Sequence, residues 1–563
     1  MICMQVIKKT KMLIVFCIPL FMILNSVCAY EALQGPTELR YWDEGKAYNG
    51  YTLFAAGEQS YLIDMEGNIV NIWPIGRKPR LLENGNILDQ SSSSPLGFRG
   101  FEELDWDGNF VWEYYETREN YHIHHDWMRI FNKKLNEYTT MYIANKDLTH
   151  EECIAAGCDP AGGPYEEAQM DAIVEVDMKG NVIWEWWFFD HVIQDIDPTK
   201  ENYVGEGKTI ADYPGKLNLN LPGKSVHRDW LHTNSLDYNE ELDQIVFNAV
   251  NGEFYVVDHG NTFIPGDPEA SMALAASDAG DFLYRFGDPA RYEQGEPPSL
   301  SQDWTRTSTG NKQIGGSHDV QWIDPGLPGE GHFLIFNNGH YLFERTPQSY
   351  IFEINGFIDA EGVDTGNYVN PPDAGYYKLQ PILQRSTHKF SKLISKQIVW
   401  IYNSKSNQGF FSHVGAGVQR LPNGNTLICA STEGHIFEVT PEGELAWEYI
   451  SPVIEEKLGD IDKPVAVNYK IVEVIPDSYP TTNMVRSAYR YGPDHPALAG
   501  KDLTPRGTLT GKPPSLTGDT DFITGTITEK TPVLGSDMII AFGLGFLIAV
   551  IITIALIKVR YLK

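Results

Sequence analysis

Basic residues are scarce in this chain of 563 residues: 44 Lys and Arg stand against 75 Asp and Glu, which gives a formal net charge of −31. A protein that neutralises nucleic-acid phosphates needs a basic face, so we predict no nucleic-acid partner. The chain also lacks the Gly-x-x-x-x-Gly-Lys-Ser/Thr loop that cradles nucleotide phosphates. With 42% hydrophobic and 21% charged residues, most of the chain is expected to be globular.

Cysteine is scarce as well, and three of the 6 cysteines lie in the amino-terminal 29 residues. This segment carries lysines followed by an apolar run from Met12 to Leu24, and Val27 and Ala29 occupy positions −3 and −1 of a cleavage site. The pattern predicts a signal peptide at residues 1–29, with an uncleaved anchor as the alternative.

Three cysteines remain outside the signal segment. Cys153 and Cys158 flank a short loop, and an oxidising compartment would allow a local disulfide between them. Cys429 lies in an apolar run and is predicted to be a buried thiol.

A second apolar segment lies near the carboxyl terminus. Residues 538–557 carry no charge, and a helix of that length spans the hydrocarbon core of a membrane. Lys558, Arg560 and Lys563 follow, and the positive-inside rule assigns them to the cytoplasm. We therefore predict a single-pass protein of the cell membrane whose main domain lies outside the cytoplasm.

These segments divide the mature chain into four parts. Residues 30–503 form the globular domain, and residues 504–536, rich in Thr, Pro and Gly, form a linker. Residues 537–558 form the transmembrane helix, and residues 559–563 form the cytoplasmic tail.

Aromatic residues and glycine are abundant, with 13 Trp, 29 Tyr and 51 Gly, which favours short strands and turns. One motif recurs: a strand, a turn containing Gly, and a second strand that carries Trp. It occurs at residues 63–73, 104–112, 176–184 and 439–447. A related Leu-x-Asn-Gly-Asn-x-Leu motif begins at Leu82 and again at Leu421. Repeated hairpins of this kind predict repeated small sheets.

Joining the hairpins gives six sheet units, and a ring of such units lets each sheet cover the next. The units are residues 48–74, 79–115, 122–188, 230–288, 315–404 and 411–452. The sequence therefore predicts an all-β, six-bladed β-propeller, with a strand from residues 469–491 closing the ring. An array of β-sandwiches is the alternative fold.

Histidines recur at the starts of several predicted units, where a propeller directs side chains into its central channel. They are His124 and His125, followed by Asp126, then His232, His318 and His413. Imidazoles that meet around one axis can act as nucleophile, base or acid, or hold a transition metal. The sequence does not separate these two uses.

Several strings around these histidines resemble the arylsulfotransferase family, whose members transfer sulfate without PAPS. They lie at residues 229–238, 317–322, 334–339, 413–428 and 486–491. The resemblance covers residues 48–495 and implies a six-bladed propeller outside the cytoplasmic membrane. It also implies ping-pong transfer, in which a channel histidine takes the sulfuryl group from an aryl sulfate and passes it to a phenol.

The resemblance assigns roles to individual residues. His413 is the predicted nucleophile, with His232 and His318 as proton carrier and oxyanion donors. Arg345 is the predicted arginine of the site, although it lies six residues beyond Gly339, farther along the chain than in the family pattern. Asn338, His125 and Trp322 are predicted to bind substrate. No metal and no cofactor are predicted.

The predicted partners are a small aryl sulfate donor and a phenolic acceptor. Two alternatives remain open at this point. One is a non-catalytic, membrane-tethered propeller that binds a surface partner or glycan, since a propeller alone does not decide function. The other is a metal-dependent hydrolase that uses the channel histidines.

Overall fold

The structure is a computed structural model. It describes residues 35–91, 99–159, 168–221, 226, 228–250, 252–300, 306–308, 310–339, 348–379, 392–403, 410–459, 464–475 and 481–512. The chain divides into two compact units, 1–518 and 519–563, and all described residues belong to the first. The predicted signal peptide and transmembrane helix lie outside the described residues. The longest described helix, Pro268–Ala275, has 8 residues, and no described helix is long and apolar enough to cross a bilayer.

Six antiparallel sheets of four or five strands form the propeller, and each is called a blade here. Blade 1 consists of Val485–Tyr491, Tyr51–Ala56, Gln59–Ile63 and Ile69–Trp73. Blade 2 consists of Arg80–Leu81, Ile87–Ser91, Gly100–Leu104 and Phe110–Tyr115. Blade 3 consists of Tyr121–Asn132, Glu137–Leu148, Ala168–Val176 and Val182–Trp187.

The remaining blades follow in chain order. Blade 4 consists of Thr233–Asn239, Gln244–Ala249, Glu253–Asp258 and Tyr284–Phe286. Blade 5 consists of His318–Trp322, Phe333–Asn337, Tyr350–Ile354 and Ile398–Tyr402. Blade 6 consists of Gly417–Arg420, Thr426–Ala430, His435–Val439 and Leu445–Ile450, with Glu38–Trp42 as a fifth strand. The predicted six-bladed propeller is confirmed.

The ring closes through strands from both ends of the described chain. Val485–Tyr491 pairs with Tyr51–Ala56 in blade 1, so that Tyr491 lies opposite Tyr51. Glu38–Trp42 pairs with the outer strand of blade 6, Leu445–Ile450. Chain ends that are far apart in sequence therefore hold the first and last blades together.

Short elements decorate the blades. Small sheets are formed by Gly35–Pro36 with Val474–Ile475, Val192–Ile193 with Leu217–Asn218, Ser299–Leu300 with Arg306–Ser308, Tyr376–Leu379 with Lys392–Ser395, and Val453–Gly459 with Pro464–Ile471 and Thr481–Thr482. Within the described residues, the other α-helices are His150–Ala155 and Pro371–Ala374. Short 3-10 turns are Phe188–His191, Ile210–Asp212, Gly260–Thr262, Asp278–Gly280, Pro289–Tyr292, Ser431–Glu433 and Pro496–Leu498.

The repeated Gly and Trp motif has a clear structural role. In its first copy, Asp64 Oδ1 accepts the backbone N–H groups of Glu66 and Asn68, and Gly67 takes a φ of 82°, which a side chain would disfavour. The Trp of the following strand then donates its indole N–H to the next blade. The acceptors are Asp105 O for Trp73, Met178 O for Trp112, Thr262 Oγ1 for Trp184 and Met65 O for Trp447. Trp400 of blade 5 lies outside the four copies and donates in the same way to Pro441 O of blade 6. The motif therefore joins neighbouring blades as well as forming a hairpin.

A second set of bonds joins the first strands of neighbouring blades around the channel. Asp126 of blade 3 accepts the Leu236 N–H of blade 4, and Ser235 of blade 4 accepts the Val320 N–H of blade 5. Asp319 of blade 5 accepts the Val418 N–H of blade 6 at 2.8 Å. Gln419 Oε1 of blade 6 accepts the Arg490 N–H of blade 1 at 2.7 Å. These bonds fix the blades relative to the channel axis.

The structure differs from the predicted linker at its beginning. Residues 504–512 contact the propeller, because Arg506 N–H donates to Ile69 O and Ile69 N–H donates to Gly507 O, both at 2.8 Å. Thr510 Oγ1 also donates to Glu38 Oε2 at 2.6 Å. The attachment to the propeller thus runs past residue 503, and residues 513–536 lie outside the described part of the chain.

The structure also differs at the predicted disulfide. Cys153 and Cys158 are both buried free thiols in the cluster between blades 3 and 4. The helix His150–Ala155 and the turn after it bring them close, and Cys158 N–H donates to Cys153 O at 2.9 Å. The bridge is absent from the structure and stays a prediction for the oxidised protein. Cys429 is a buried thiol, as predicted.

Replacing Trp447 by Phe tests the bond that links blade 6 to blade 1. The change leaves the Met65 carbonyl without its indole donor and removes volume from a fully buried site. We expect the free energy of unfolding to fall by about 2 kcal/mol, measured by urea denaturation. Trp112→Phe is the matched control, because its indole bond is solvent-exposed, and it should cost clearly less. Equal losses in both variants would contradict this role for Trp447.

Candidate functional site

Irregular backbone turns the histidines of three blades toward the channel. The first strands of blades 3, 4 and 5 each shift register against their partner strand, between Ile123 and Trp127, Thr233 and Ser235, and His318 and Gln321. His125 and His232 take left-handed φ values of 48° and 53°, which are uncommon for residues other than glycine. Bulges of this kind re-aim side chains, and here they bring imidazoles from separate blades together.

Three imidazoles form a cluster, called the histidine cluster here: His124, His125 and His232. The Nε2 atoms of His125 and His232 are 2.9 Å apart, a hydrogen-bond distance. The ring of His124 packs edge-on against both, with centroids 4.1 Å from His125 and 4.9 Å from His232. One nitrogen from each of the three rings lies within 4.8 Å of the others.

Two carboxylates support this cluster. Asp229 Oδ2 accepts the Nδ1–H of His232 at 2.5 Å, and Asp229 Oδ1 lies 3.6 Å from His124 Nε2. Asp171 is 2% exposed; its Oδ2 accepts the backbone and hydroxyl donors of Thr233, and its Oδ1 lies 3.9 Å from His124 Nδ1. The cluster therefore contacts negative charge on one side.

The surroundings give the histidines different proton affinities. Burial lowers the pKa of His124 to about 4. Burial and the neighbouring His124 and His232 hold the pKa of His125 well below its usual range. Burial also opposes the charge of His232, but the hydrogen bond to Asp229 outweighs it and raises the pKa of His232. Of the three rings, His232 is therefore the one best able to carry a proton.

His318 has a separate support. Asn338 donates through Nδ2 to Ser412 O at 2.8 Å and Gly415 O at 2.9 Å, which orients its Oδ1 toward His318 Nδ1 at 2.7 Å. Nδ1 must then carry the proton, and Nε2 presents its lone pair toward the Gly415 N–H at 3.3 Å. Burial lowers the pKa of His318 to about 4, so the ring is a neutral imidazole at pH 7.

Cations also face the channel, and the sequence analysis missed them. Lys78 Nζ lies 2.6 Å from Asp126 Oδ2 and 3.3 Å from Asp319 Oδ1. The Arg80 guanidinium stacks 3.8 Å above the Tyr489 ring. Both cations stand at the start of a blade, as the histidines do. The expectation that residues at the start of a unit face the channel, applied to Lys and Arg, would have identified both.

A cavity of about 560 Å³ leads to the histidine cluster. Its lining includes His124 and Asp229 as well as Arg99, Arg118 and Arg228. The volume is in the range of small-molecule sites. A larger cavity of about 1110 Å³ shares Tyr121 and Arg228 with it and has none of the three cluster histidines in its lining.

The predicted site residues fall into three groups. His125, His232 and His318 lie at the channel and influence one another's pKa, and Asn338 holds His318. His413 lies two residues before Gly415, its backbone N–H donates to Thr432 Oγ1 at 3.3 Å, and its nucleophile role stays a prediction. Arg345 lies outside the described residues.

Trp322 does not line the channel as predicted. Its side chain is 4% exposed in the apolar cluster between blades 4 and 5, with its ring 5.3 Å from that of Phe333. The residue directs its side chain between the sheets because strand residues alternate in direction. We therefore no longer assign it to substrate binding.

Three further histidines are paired with carboxylates. His259 bonds to Asp243 and Glu175, and His435 bonds to Glu448. His332 Nδ1 lies 2.7 Å from Glu353 Oε1.

Asp229→Asn tests the cause of the raised proton affinity of His232. The amide carries no charge to stabilise the imidazolium, so we expect the pKa of His232 to fall. Titration of the histidine ring protons by NMR measures it, with His495, whose ring packs against Tyr491, as an internal reference that should not move. An unchanged His232 titration would show that Asp229 is not the cause.

Comparisons with known structures give only distant similarities. They include a protein of unknown function from Bacteroides caccae, with 11% identity and a TM-score of 0.34, over 78% of this chain and 98% of that one. A streptogramin B lyase gives 9% identity and a TM-score of 0.32, over 82% of this chain and 97% of that one. Sqt1 of Saccharomyces cerevisiae gives 8% identity and a TM-score of 0.28, over 78% of this chain and 82% of that one. Similarity at this level says nothing about activity.

Comparison with curated proteins gave no match. The family comparison was informative: the model of the arylsulfotransferase (ASST) family matches residues 50–355, more than half of the chain. The match includes His125, His232, His318 and Asn338, and it ends before His413. The chain therefore belongs to the arylsulfotransferase family.

Proposed function

We propose that this protein transfers a sulfuryl group from an aryl sulfate to a phenol through a covalent sulfohistidine, without PAPS. The observation that carries the proposal is the contact of His125 with His232, from two blades, beside His124, which lines the cavity of about 560 Å³. His318 of a third blade acts electrostatically on His125. Family membership supports sulfotransfer in general. The ping-pong order and the identities of donor and acceptor are part of the proposal.

The first half-reaction forms an N–S bond and breaks the S–O bond to the aryl group. A neutral imidazole nitrogen attacks sulfur, and the phenolate leaves with the S–O electron pair. The imidazolium of His232, stabilised by Asp229, is placed to give that phenolate its proton. The product phenol then leaves, and the sulfuryl group stays on the enzyme.

The second half-reaction reverses these roles. The acceptor phenol loses its proton to the now neutral His232, and its oxygen attacks the sulfur of the sulfohistidine. The N–S bond breaks, the electron pair returns to the imidazole, and the aryl sulfate product leaves. Each histidine thus ends in its starting state.

The nucleophile in this proposal is His413, on the basis of the family resemblance. The geometry offers His318 as the rival, because Asn338 fixes its tautomer and leaves Nε2 with its lone pair. The two candidates lie near the same loop: the Gly415 N–H donates to His318 Nε2, and Gly415 follows His413 by two residues. Arg345 remains the proposed partner of the sulfuryl oxygens.

The proposal includes location. The composition of residues 1–29 and 537–558 supports secretion through a signal peptide and a single transmembrane anchor, with the propeller outside the cytoplasm. Small phenolic compounds on that side of the membrane would then be the substrates.

Purified protein incubated with 4-nitrophenyl sulfate tests the transfer. We expect nitrophenol release that depends on added phenol and survives EDTA. His413→Ala should lower the rate by more than about 10⁴-fold if His413 is the nucleophile. His232→Ala should lower it by roughly 10²–10⁴-fold as a proton carrier. His332→Gln, at a ring that bonds to Glu353 and lines neither cavity, is the matched control and should keep full activity.

Mass spectrometry of the donor-treated enzyme without phenol identifies the modified peptide. The mass of one SO₃ group on the peptide that holds His413 supports the proposed nucleophile, and the same mass on the peptide that holds His318 transfers the role to His318. Release that needs no phenol and stops with EDTA would overturn the transferase in favour of a metal-dependent hydrolase. The absence of any release would favour the non-catalytic propeller.

A further inference from the structure

The histidine cluster has a second property that sulfuryl transfer does not require. It combines three imidazole nitrogens within 4.8 Å of one another with two carboxylates beside them. We propose that His124, His125 and His232 form a binding site for one divalent transition metal ion. The inference is independent of which histidine acts as nucleophile.

The donor set determines the class of ion. Imidazole nitrogen suits Zn²⁺, Co²⁺, Ni²⁺ and Cu²⁺, whereas Mg²⁺ and Ca²⁺ prefer oxygen ligands. Three protein ligands also leave a coordination position open toward the cavity, as in three-histidine zinc sites. The lining of the 560 Å³ cavity includes His124, so an ion has a path from solvent.

One of the three distances between ligand nitrogens is that of a metal centre. Ligands about 2.0–2.1 Å from an ion lie about 2.9–3.4 Å apart, depending on the angle between them. The Nε2 atoms of His125 and His232 are 2.9 Å apart. A metal ion that enters this gap would replace any proton bound between the two nitrogens, and that proton would leave for solvent.

Asp229 orients one of the three proposed ligands. Asp229 accepts the Nδ1–H of His232 at 2.5 Å, which fixes the tautomer with a free lone pair on Nε2. A carboxylate behind a metal-binding histidine is the usual outer-shell arrangement. Asp229 is therefore placed to orient a ligand rather than to form a surface ion pair.

Asp171 supplies an independent observation. It is 2% exposed, and its Oδ1 has no hydrogen-bond partner in the described part of the chain. The same is true of His124 Nδ1, which lies 3.9 Å from it. Buried polar atoms without partners are costly, and a nearby cation would offset the unpaired carboxylate.

The charge balance around the site permits a cation. Lys78 acts electrostatically on His125, but Asp126 and Asp319 pair with its ammonium group. Asp171 and Asp229 then lie beside a divalent ion, which would replace the proton that Asp229 favours on His232. The charge count therefore does not oppose binding.

Titration of Co²⁺ into EDTA-treated protein, purified without a histidine tag, tests the proposal. We expect one equivalent to bind, with visible d–d absorption bands of a nitrogen-ligated site, and Zn²⁺ to displace it in calorimetry. His124→Ala should weaken binding at least tenfold. His125→Asn and His232→Asn should do the same, and Asn suits the left-handed φ at these two positions, so the fold is kept.

Two variants serve as matched controls. His318→Ala removes a channel histidine outside the cluster and His122→Ala removes an exposed one, and both should bind Co²⁺ as the wild type does. A wild type that binds no Co²⁺ would overturn the metal site, as would cluster variants that bind it unchanged. These outcomes are separate from transfer activity: phenol-dependent release without metal binding would retain the proposed function and remove the metal site.

Discussion

The carboxylates beside the channel histidines are the constraint on which this structure depends. In both His125-Asp126 and His318-Asp319, the imidazole turns to the channel while the adjacent carboxylate accepts a backbone N–H of the next blade. Lys78 then forms an ion pair with each of the two carboxylates. Because the same short segments bind the neighbouring blade and present the histidine, the site cannot be moved without loosening the ring.

Burial and charge separate the histidines into two chemical kinds. His124, His125 and His318 are held neutral by their surroundings, whereas Asp229 favours the protonated form of His232. A site with both kinds can supply a lone pair and a proton at the same pH, which is what acyl- or sulfuryl-type transfer needs. A transition metal needs a lone pair from each ring, so at His232 it would compete with the proton that Asp229 favours.

The local motifs predicted much of the fold. The repeated turns and the Trp after them marked four of the five interblade indole bonds, three after Asp-x-x-Gly and one after Thr-x-x-Gly. Trp400 follows no such turn. The six unit boundaries followed from these repeats. The meeting of His125, His232 and His318 was predictable because each stands at a unit start. Trp322 was misassigned because its position in a strand does not reveal which face it occupies, and the supporting residues Lys78, Asp171 and Asp229 come from blades or loops that only folding brings together.

The sequence by itself determined the repeating hairpins, the number of blades and the residues that reach the channel, since these depend on turn chemistry and on period along the chain. Tertiary structure alone decided which rings touch, which ones carry a proton, and which carboxylate lacks a partner. Those properties depend on distances of a few ångströms between blades and on the exclusion of water, and neither is encoded in the spacing of any one segment.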